Sequence, residues 1–358
     1  MQKKKKIDIN SGAWQRTLLI ALCSVLAVIF IVLVIGTAYV YNMLNRLGRV
    51  DPDNQETLSD SQVENMMSND PDLETIDPNS TETIPHIDDV GVTDDIGFVA
   101  ERHGDHVINI LLVGQDRREG EGRQRSDSMI LVSFNTKKNT ITLTSFMRDQ
   151  YVQIPGYLNN KLNAAYAFGG FKLLNATLEK NFGVFVDGNV EVDFFSFAAV
   201  VDMLGGVEIN LTQAEVEHLY LSYGWTFNVG PQILNGEQAL AYSRIRAIDS
   251  DYRRAERQRT VLVNLLERYK DQTPATMLSI LQEILPMVIT DMSNSQILSL
   301  AGDLLPMIST ATVSNLRIPV DGTFQQGDVQ VRDGLKNWFQ YNIDFAANYQ
   351  ILQMVFAD

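Results

Sequence analysis

Apolar and polar positions follow several different rhythms along this chain. From Thr17 to Tyr41 the run TLLIALCSVLAVIFIVLVIGTAYVY has no charge at all. As a helix rising about 1.5 Å per residue, residues 17–41 span about 37 Å, enough to cross a hydrocarbon core of about 30 Å with some tilt. A cleaved signal peptide is the rival reading, but its apolar core would be about 7–15 residues with a small-residue cleavage site after it. Neither feature is present, so an uncleaved transmembrane helix is expected. Beyond it, residues 42–105 show no sustained apolar period.

From residue 106 the rhythm changes again. HVINILLVGQD (106–116) predicts a strand buried on both faces. SMILVSFN (128–135) and TITLTSFMRD (140–149) predict two more, joined by the turn TKKN. LNAAYAFGG (162–170) and FKLLNATLEKNFG (171–183) read as helices that stop at glycines. GNVEVDFFSF (188–197) starts as a strand and runs into the helix AAVVDMLGG (198–206), and VEINLT (207–212) is a strand. A helix is predicted from about 251 to 270 and mainly helical structure over 275–305. SNLRIPVDG (314–322) predicts a strand, and the C-terminal end reads as helical. Strands alternating with helices imply an α/β fold: a layered α-β-α domain with a mixed central sheet over 106–358, preceded by one transmembrane helix.

Charge refines this division. Lys3, Lys4, Lys5, Lys6 and Arg16 precede the apolar run with only Asp8 against them. Excess positive charge stays in the cytoplasm, which makes 1–16 a cytoplasmic tail, 17–41 the span, and all that follows extracytoplasmic. The formal charge of -15 is also local: residues 51–105 hold sixteen acids and one base, Arg102, and the remainder balances at 28 of each sign. With Pro52, Pro71, Pro78 and Pro85, this stretch is expected to be an extended, disordered linker over 42–105. The only cysteine, Cys23, lies in the span, so the exported part is free of disulfides and thiolate chemistry.

Against that acidity, YSRIRAIDSDYRRAERQR (242–259) holds Arg244, Arg246, Arg253, Arg254, Arg257 and Arg259 and no lysine. On a helical wheel Val261, Leu262, Leu265, Leu266 and Tyr269 form one stripe. Projected back, its centre passes through Gln258, Arg254 and Asp251, with Arg257 and Arg259 on the flanks and Arg253 pointing away. A buried arginine demands an anion or a polar cleft. If SRIR is extended, Arg244 and Arg246 share a face while Ile245 packs on the other. Forked guanidiniums suit phosphate or carboxylate oxygens; the plain alternative is a solvated charged face paired with its own acids. A nucleic-acid surface is disfavoured by export and by the lack of interleaved aromatics.

A polyphosphate cleft usually recruits a hard divalent cation. Asp116 follows the first strand and Asp127 precedes the second, with Arg125 nearby, and Arg148 ends the third in SFMRD. Neighbouring strand ends at a sheet edge would bring these together; as spacing alone, two loop aspartates also read as ordinary turn residues. Phe194, Phe195, Phe197, Val200, Val201 and Leu204 would serve either as core or as an apolar slot. His103 and His106 sit at the linker edge without a nearby cysteine, and no GxSxG, HExxH or Walker A motif occurs.

These residues carry a resemblance. NILLVGQD, RSDSMILVS, SFMRD, KLNAAYAFGG, VDMLGGVEI, LNGEQALAYSRIR and DSDYRRAERQ, in order over roughly 107–268, make the chain similar to the LytR–CpsA–Psr family, membrane-anchored enzymes of Gram-positive envelopes. The resemblance implies a phosphotransferase that moves a phosphoglycan (teichoic acid, capsule or a similar polymer) from a polyprenyl-pyrophosphate carrier to a peptidoglycan sugar hydroxyl. It implies Mg²⁺ (or Mn²⁺) on Asp116 and Asp127, and a pyrophosphate clamp of Arg125, Arg148, Arg244, Arg246 and Arg254 with Gln258 beside it. Lys161, in KLN, is a candidate for the same cleft. Arg254, Arg148 and Asp251 would act in catalysis, Asp251 by orienting an arginine or taking the acceptor proton. Arg253 departs from the family's usual glycine. A polyprenyl-pyrophosphate hydrolase, or a non-enzymatic regulator that binds lipid-linked glycan, would use the same cleft. Residues 275–358 are expected to complete the same domain.

Overall fold

A computed structural model describes residues 38–51, 55–80, 83–91, 104–115, 123–270, 282–308 and 310–357, with single positions 36, 98, 102, 273, 276 and 279. The chain divides into Met1–Arg46 and Leu47–Asp358. Among the described residues no helix is long and apolar enough to cross a membrane. The span expected over 17–41 falls mostly outside them, as do Asp116 and His103.

In chain order the second unit contains strands β1 (Gly48–Arg49), β2 (Glu74–Thr75), β3 (Val107–Gln115), β4 (Ser126–Asn135), β5 (Thr140–Phe146), β6 (Tyr151–Val152), β7 (Asn160–Lys161), β8 (Gly188–Asp193), β9 (Val207–Leu211), β10 (Gly230–Leu234), β11 (Val288–Thr290), β12 (Thr312–Ile318), β13 (Gln325–Arg332) and β14 (Leu335–Tyr341). Its helices are α1 (Asp60–Ser68), α2 (Leu162–Phe182), α3 (Phe194–Met203), α4 (Gln213–Tyr223), α5 (Gly236–Ser243), α6 (Asp251–Lys270), α7 (Asn294–Ile308) and α8 (Phe345–Phe356). The central sheet runs β1-β11-β8-β3-β4-β5-β12 and is mixed: β4 is antiparallel to β3 and β5, whereas β3–β8 and β5–β12 are parallel.

The near-continuous apolar strands are explained by burial on both faces. Val107, Leu111 and Val113 point into a core with α2 and α8, while Ile108 and Ile110 point into a second core with α6 and α7. The expected α-β-α layering follows. The glycine stops are also present. Gly169 and Gly170 leave helical geometry inside α2, and Gly183 ends it at φ 62°, a left-handed cap that glycine adopts without steric cost.

Three expectations are corrected. Residues 55–80 do not continue a disordered linker: Val63 is buried in the core beside α2, with Leu58, Met66 and Met67 against it, and β2 adds to β14. Charge counting hid this amphipathic turn, and several of its acids are matched by bases of the domain. The C-terminal end is not all helical either, since β13 and β14 form an antiparallel hairpin, whose turn is signalled by Asp333-Gly334. Within 275–305, β11 interrupts the helical reading and pairs with β8 and β1.

Candidate functional site

Register alone brings three strand ends together. Ser126, which opens β4, faces Gln115 at the end of β3, and Ile130 faces Ser145 near the end of β5. Arg148, just past β5, therefore arrives beside Asp127, and its Nη1 donates to Asp127 Oδ1 at 3.0 Å. Its Nε donates to Asp149 at 3.3 Å.

Helix α6 supplies the next layer. Arg254, 4% exposed, donates through Nη1 to the Asp127 carbonyl at 3.3 Å. It closes on Asp251, one turn back, with Nε–Oδ1 at 2.7 Å and Nη2–Oδ2 at 2.9 Å. The wheel placed these correctly: Val261 and Leu265 are buried, and Arg253 is exposed with its partner Glu256.

Arg244 and Arg246 come from the end of α5. Asn235 and Gln238 form a capping box at its start. Gly236 is required there because a Cβ would lie 2.1 Å from the Ala198 carbonyl of α3. SRIR is not the extended segment that the sequence reading considered: Arg244 is the helical C-cap of α5, its amide bonded to the carbonyls of Ala241 and Tyr242. Ile245 nevertheless turns inward, 2% exposed. Arg246 reaches Asp127 at 3.6 Å and Asp251 at 3.7 Å, longer contacts of a side chain still 46% exposed.

Asp127, Arg148, Ser243, Arg244, Arg246, Arg254 and Gln258 thus line one cavity of about 360 Å³. Among these lining residues four guanidiniums face one carboxylate. Burial, then the like charges of Arg254 and Arg148, hold the Arg246 pKa below its ordinary value, and Asp251 and Asp127 offset this only in part. Burial opposes the Arg148 charge as well, but Asp149, Asp251 and Asp127 outweigh it and raise its pKa. Burial would raise Asp251, yet Arg254 above all, then Arg148 and Arg246, hold it below the usual carboxylate range. The cavity carries excess positive charge in a partly desolvated place, which is what an oxyanion ligand relieves.

Two further cavities adjoin it. One, about 260 Å³, lies between the sheet and α6 with walls such as Leu112, Ile130, Phe197, Val200, Leu262 and Ile284, and it shares Ser243 and Gln258 with the arginine cavity. Of the residues expected for an apolar slot, Phe197 and Val200 line it. Val201 and Leu204 belong to the adjoining buried cluster, and Phe195 is 90% exposed. The Phe194 side chain is outside the described residues. The other cavity, about 430 Å³, is lined mostly by polar and charged residues and shares Arg148 and Arg246 with the arginine cavity.

Two expected clamp residues lie apart from the arginine cavity. Arg125 is ion-paired to Asp70 at 2.7 Å. Lys161, 1% exposed, is held by Asn337 at 2.8 Å, Asp149 at 3.0 Å and Asp72 at 3.4 Å, at the wall of the polar cavity. Arg257 bonds Glu215 at 2.7 Å, the Ile245 carbonyl and Asp249, and Arg259 donates to Ser145 Oγ at 2.6 Å. Both arginines are built into the fold. Sequence reasoning missed Asp149, Tyr252 and Trp338, all at the polar cavity; the Asp-Gly turn was the available signal for the hairpin that carries Trp338.

Among the described residues, the ion pairs of Asp127 fall on Oδ1, leaving Oδ2 for another cation. Among the described residues no group of three or more His, Cys, Asp or Glu side chains could hold a metal ion. Asp116, the other expected ligand, lies outside the described residues.

The model of the LytR_cpsA_psr family matches residues 64–342. Over 165 residues the chain is 39% identical to the polyisoprenyl-teichoic acid–peptidoglycan teichoic acid transferase TagU of Bacillus subtilis (strain 168), covering 45% of this chain and 52% of that protein. It is 37% identical over 164 residues to the regulatory protein MsrR of Staphylococcus aureus (strain Mu50), covering 45% of this chain and 49% of that one. The chain thus spans about half the length of the curated relatives it matches. The solved structure of the LytR-CPS2A-psr family protein YwtF (TagT) with bound octaprenyl pyrophosphate lipid superposes with a TM-score of 0.54 at 25% identity, over 72% of this chain and 92% of that one.

Proposed function

Because the chain belongs to the LytR_cpsA_psr family, we propose that it transfers a phosphoglycan from a polyprenyl-pyrophosphate carrier to a peptidoglycan sugar hydroxyl. The observation that carries this reading is the apolar cavity lying against the arginine cavity, with Ser243 and Gln258 in the walls of both. That arrangement matches an amphiphile with a hydrocarbon tail and a charged head. The TagT complex holds such a lipid, and TagU is named for such a transfer.

In this reading the prenyl tail lies between the sheet and α6, and the pyrophosphate meets Arg148, Arg244, Arg246 and Arg254. The acceptor hydroxyl oxygen bonds to the glycan-bearing phosphorus. The bond from that phosphorus to the bridging oxygen breaks, polyprenyl phosphate leaves, and the hydroxyl proton passes to solvent. Guanidiniums stabilise the charge that builds on the phosphate oxygens. Asp251, whose Oδ2 accepts from Arg254 Nη2 and whose Oδ1 is ion-paired to Arg254 Nε, orients that arginine. Mg²⁺ on Asp127 and Asp116 would add positive charge at the same oxygens. The run 17–41 would anchor the chain with its N-terminus in the cytoplasm and the catalytic unit outside.

The test is direct. The full chain, given a polyprenyl-pyrophosphate-linked glycan, peptidoglycan and Mg²⁺, should release polyprenyl phosphate and fix glycan to the wall polymer, and Arg254→Ala should stop both. Release without any fixed glycan would make it a hydrolase, and turnover by Arg254→Ala would remove the site assignment.

A further inference from the structure

The polar cavity lies beside the lipid and pyrophosphate cavities, and most of its lining has no role in the transferase reading. It meets the arginine cavity through Arg148 and Arg246 and shares no lining residue with the apolar one. Lipid, arginine and polar cavities therefore form a series, with the polar one farthest from the tail. Displacement at phosphorus is in line, so the entering oxygen approaches opposite the departing prenyl phosphate. With the tail in the apolar cavity and the pyrophosphate on the arginines, as the transferase reading has them, that side is the polar cavity.

Its walls have a particular chemistry. Trp338, half-buried, and Tyr252 present aromatic surface, and Gln326, Asp72 and Asp328 present side-chain donors and acceptors of both kinds. The floor is rigid: buried Lys161 and Asn337 are bonded to each other, and Asn337 also donates to Asp70 at 3.1 Å. Tyr252 is fixed by Gln340 at 3.1 Å, by Gln326 and by the Arg317 guanidinium 4.1 Å from its ring centre. A flat apolar platform beside mixed hydroxyl-binding groups suits a pyranose, which has C–H faces and a polar rim.

Resting on the transferase reading, we infer that this cavity, closed by the strap at Pro71–Glu74 on one side and the β13–β14 hairpin on the other, binds the acceptor sugar with Trp338 as its platform. The strap comes from the segment whose composition reads as linker, so that segment completes the site.

The test separates this inference from the transferase reading. The chain carries Trp14, Trp225 and Trp338. A soluble β-1,4-linked N-acetylglucosamine oligomer, titrated into the full chain without donor, should quench tryptophan emission saturably, and Trp338→Phe should abolish the quench. In transfer assays Trp338→Ala should raise the acceptor KM about tenfold, the loss of one aromatic contact, and leave the donor KM in place. Gln326→Ala, an exposed change that spares the fold, should shift the acceptor KM in the same direction. Absence of quenching in the intact chain overturns the proposal. So does a rise in donor KM with the acceptor KM unmoved, because the cavity would then hold the donor's own first sugar. Oligomer binding with no donor consumed would sustain the cavity and defeat the transferase reading.

Discussion

Arg254 and Arg257 lie less than one turn apart on the same helix, and the fold uses them in opposite ways. Arg257 is enclosed by Glu215, Asp249 and the Ile245 carbonyl, so its charge is matched by the protein itself. Arg254 is also buried and paired, but it opens on a cavity where Arg148, Arg244 and Arg246 converge and carboxylates are fewer. Identical side chains are thus divided by partner supply. A guanidinium with its full set of acids ties α6 to α4, and a cluster short of acids is left with appetite for an anion. Substitution along this stretch should separate the two roles.

The largest expected effect is on the closed side. Arg257→Met leaves Glu215 buried without its partner, and breaking a buried pair costs about 3–5 kcal/mol. Chemical denaturation should show that loss, with the midpoint shifted and the slope unchanged. A cost below about 1 kcal/mol would mean that Arg257 is not structural. On the open side, Arg246→Ala removes a half-exposed side chain whose ion pairs are long. Its unfolding free energy should stay within about 0.5 kcal/mol of the parent, while transfer falls about 100-fold through the loss of one oxyanion donor. Equal damage to stability and transfer would erase the distinction.

The same contrast explains how much was legible in the sequence. Strands β3 to β5 and the buried face of α6 follow from local periodicity, and so does the inward placement of Arg254 and Gln258. Partners are not local. Asp70 and Arg125 are separated by 55 residues, and Lys161 and Asn337 by 176, so the sequence grouped Arg125 and Lys161 with the clamp although their acids and amides hold them elsewhere. The strap was hidden for a related reason: its charge density resembled disorder because the bases that neutralise it lie on other elements. SRIR alternates like a strand, but the capping box before it starts a helix that runs through Ser243 and caps on Arg244.

A third, smaller effect is on pH dependence. Arg254, Arg148 and Arg246 depress the Asp251 pKa below the unfolded value, which is about 3.9. The stability this provides is therefore complete above about pH 4 and disappears as pH falls through the lower, folded value. Acid unfolding should reflect it, and Asp251→Asn should remove that part of the acid transition while leaving stability flat in pH between about 5 and 8. An Asp251→Asn transition superimposable on the parent's would show that the pairs contribute nothing to acid stability.

The smallest effect is expected at Arg253, and it tests the comparison most strictly. This residue adds the same charge to the same turn, immediately before Arg254. Its side chain is directed outward, 62% exposed, and pairs with Glu256 at 2.6 Å on the helix surface. Solvent and salt screen such a charge, and it has no path to the cavity. Arg253→Ala should leave the donor KM, the transfer rate and the unfolding midpoint unmoved at physiological ionic strength. If instead the donor KM rises, and rises further in low salt, then summed positive charge near the head group governs binding. Arg254 would then matter for its charge, and the inward geometry that sets it apart from its neighbours would count for little.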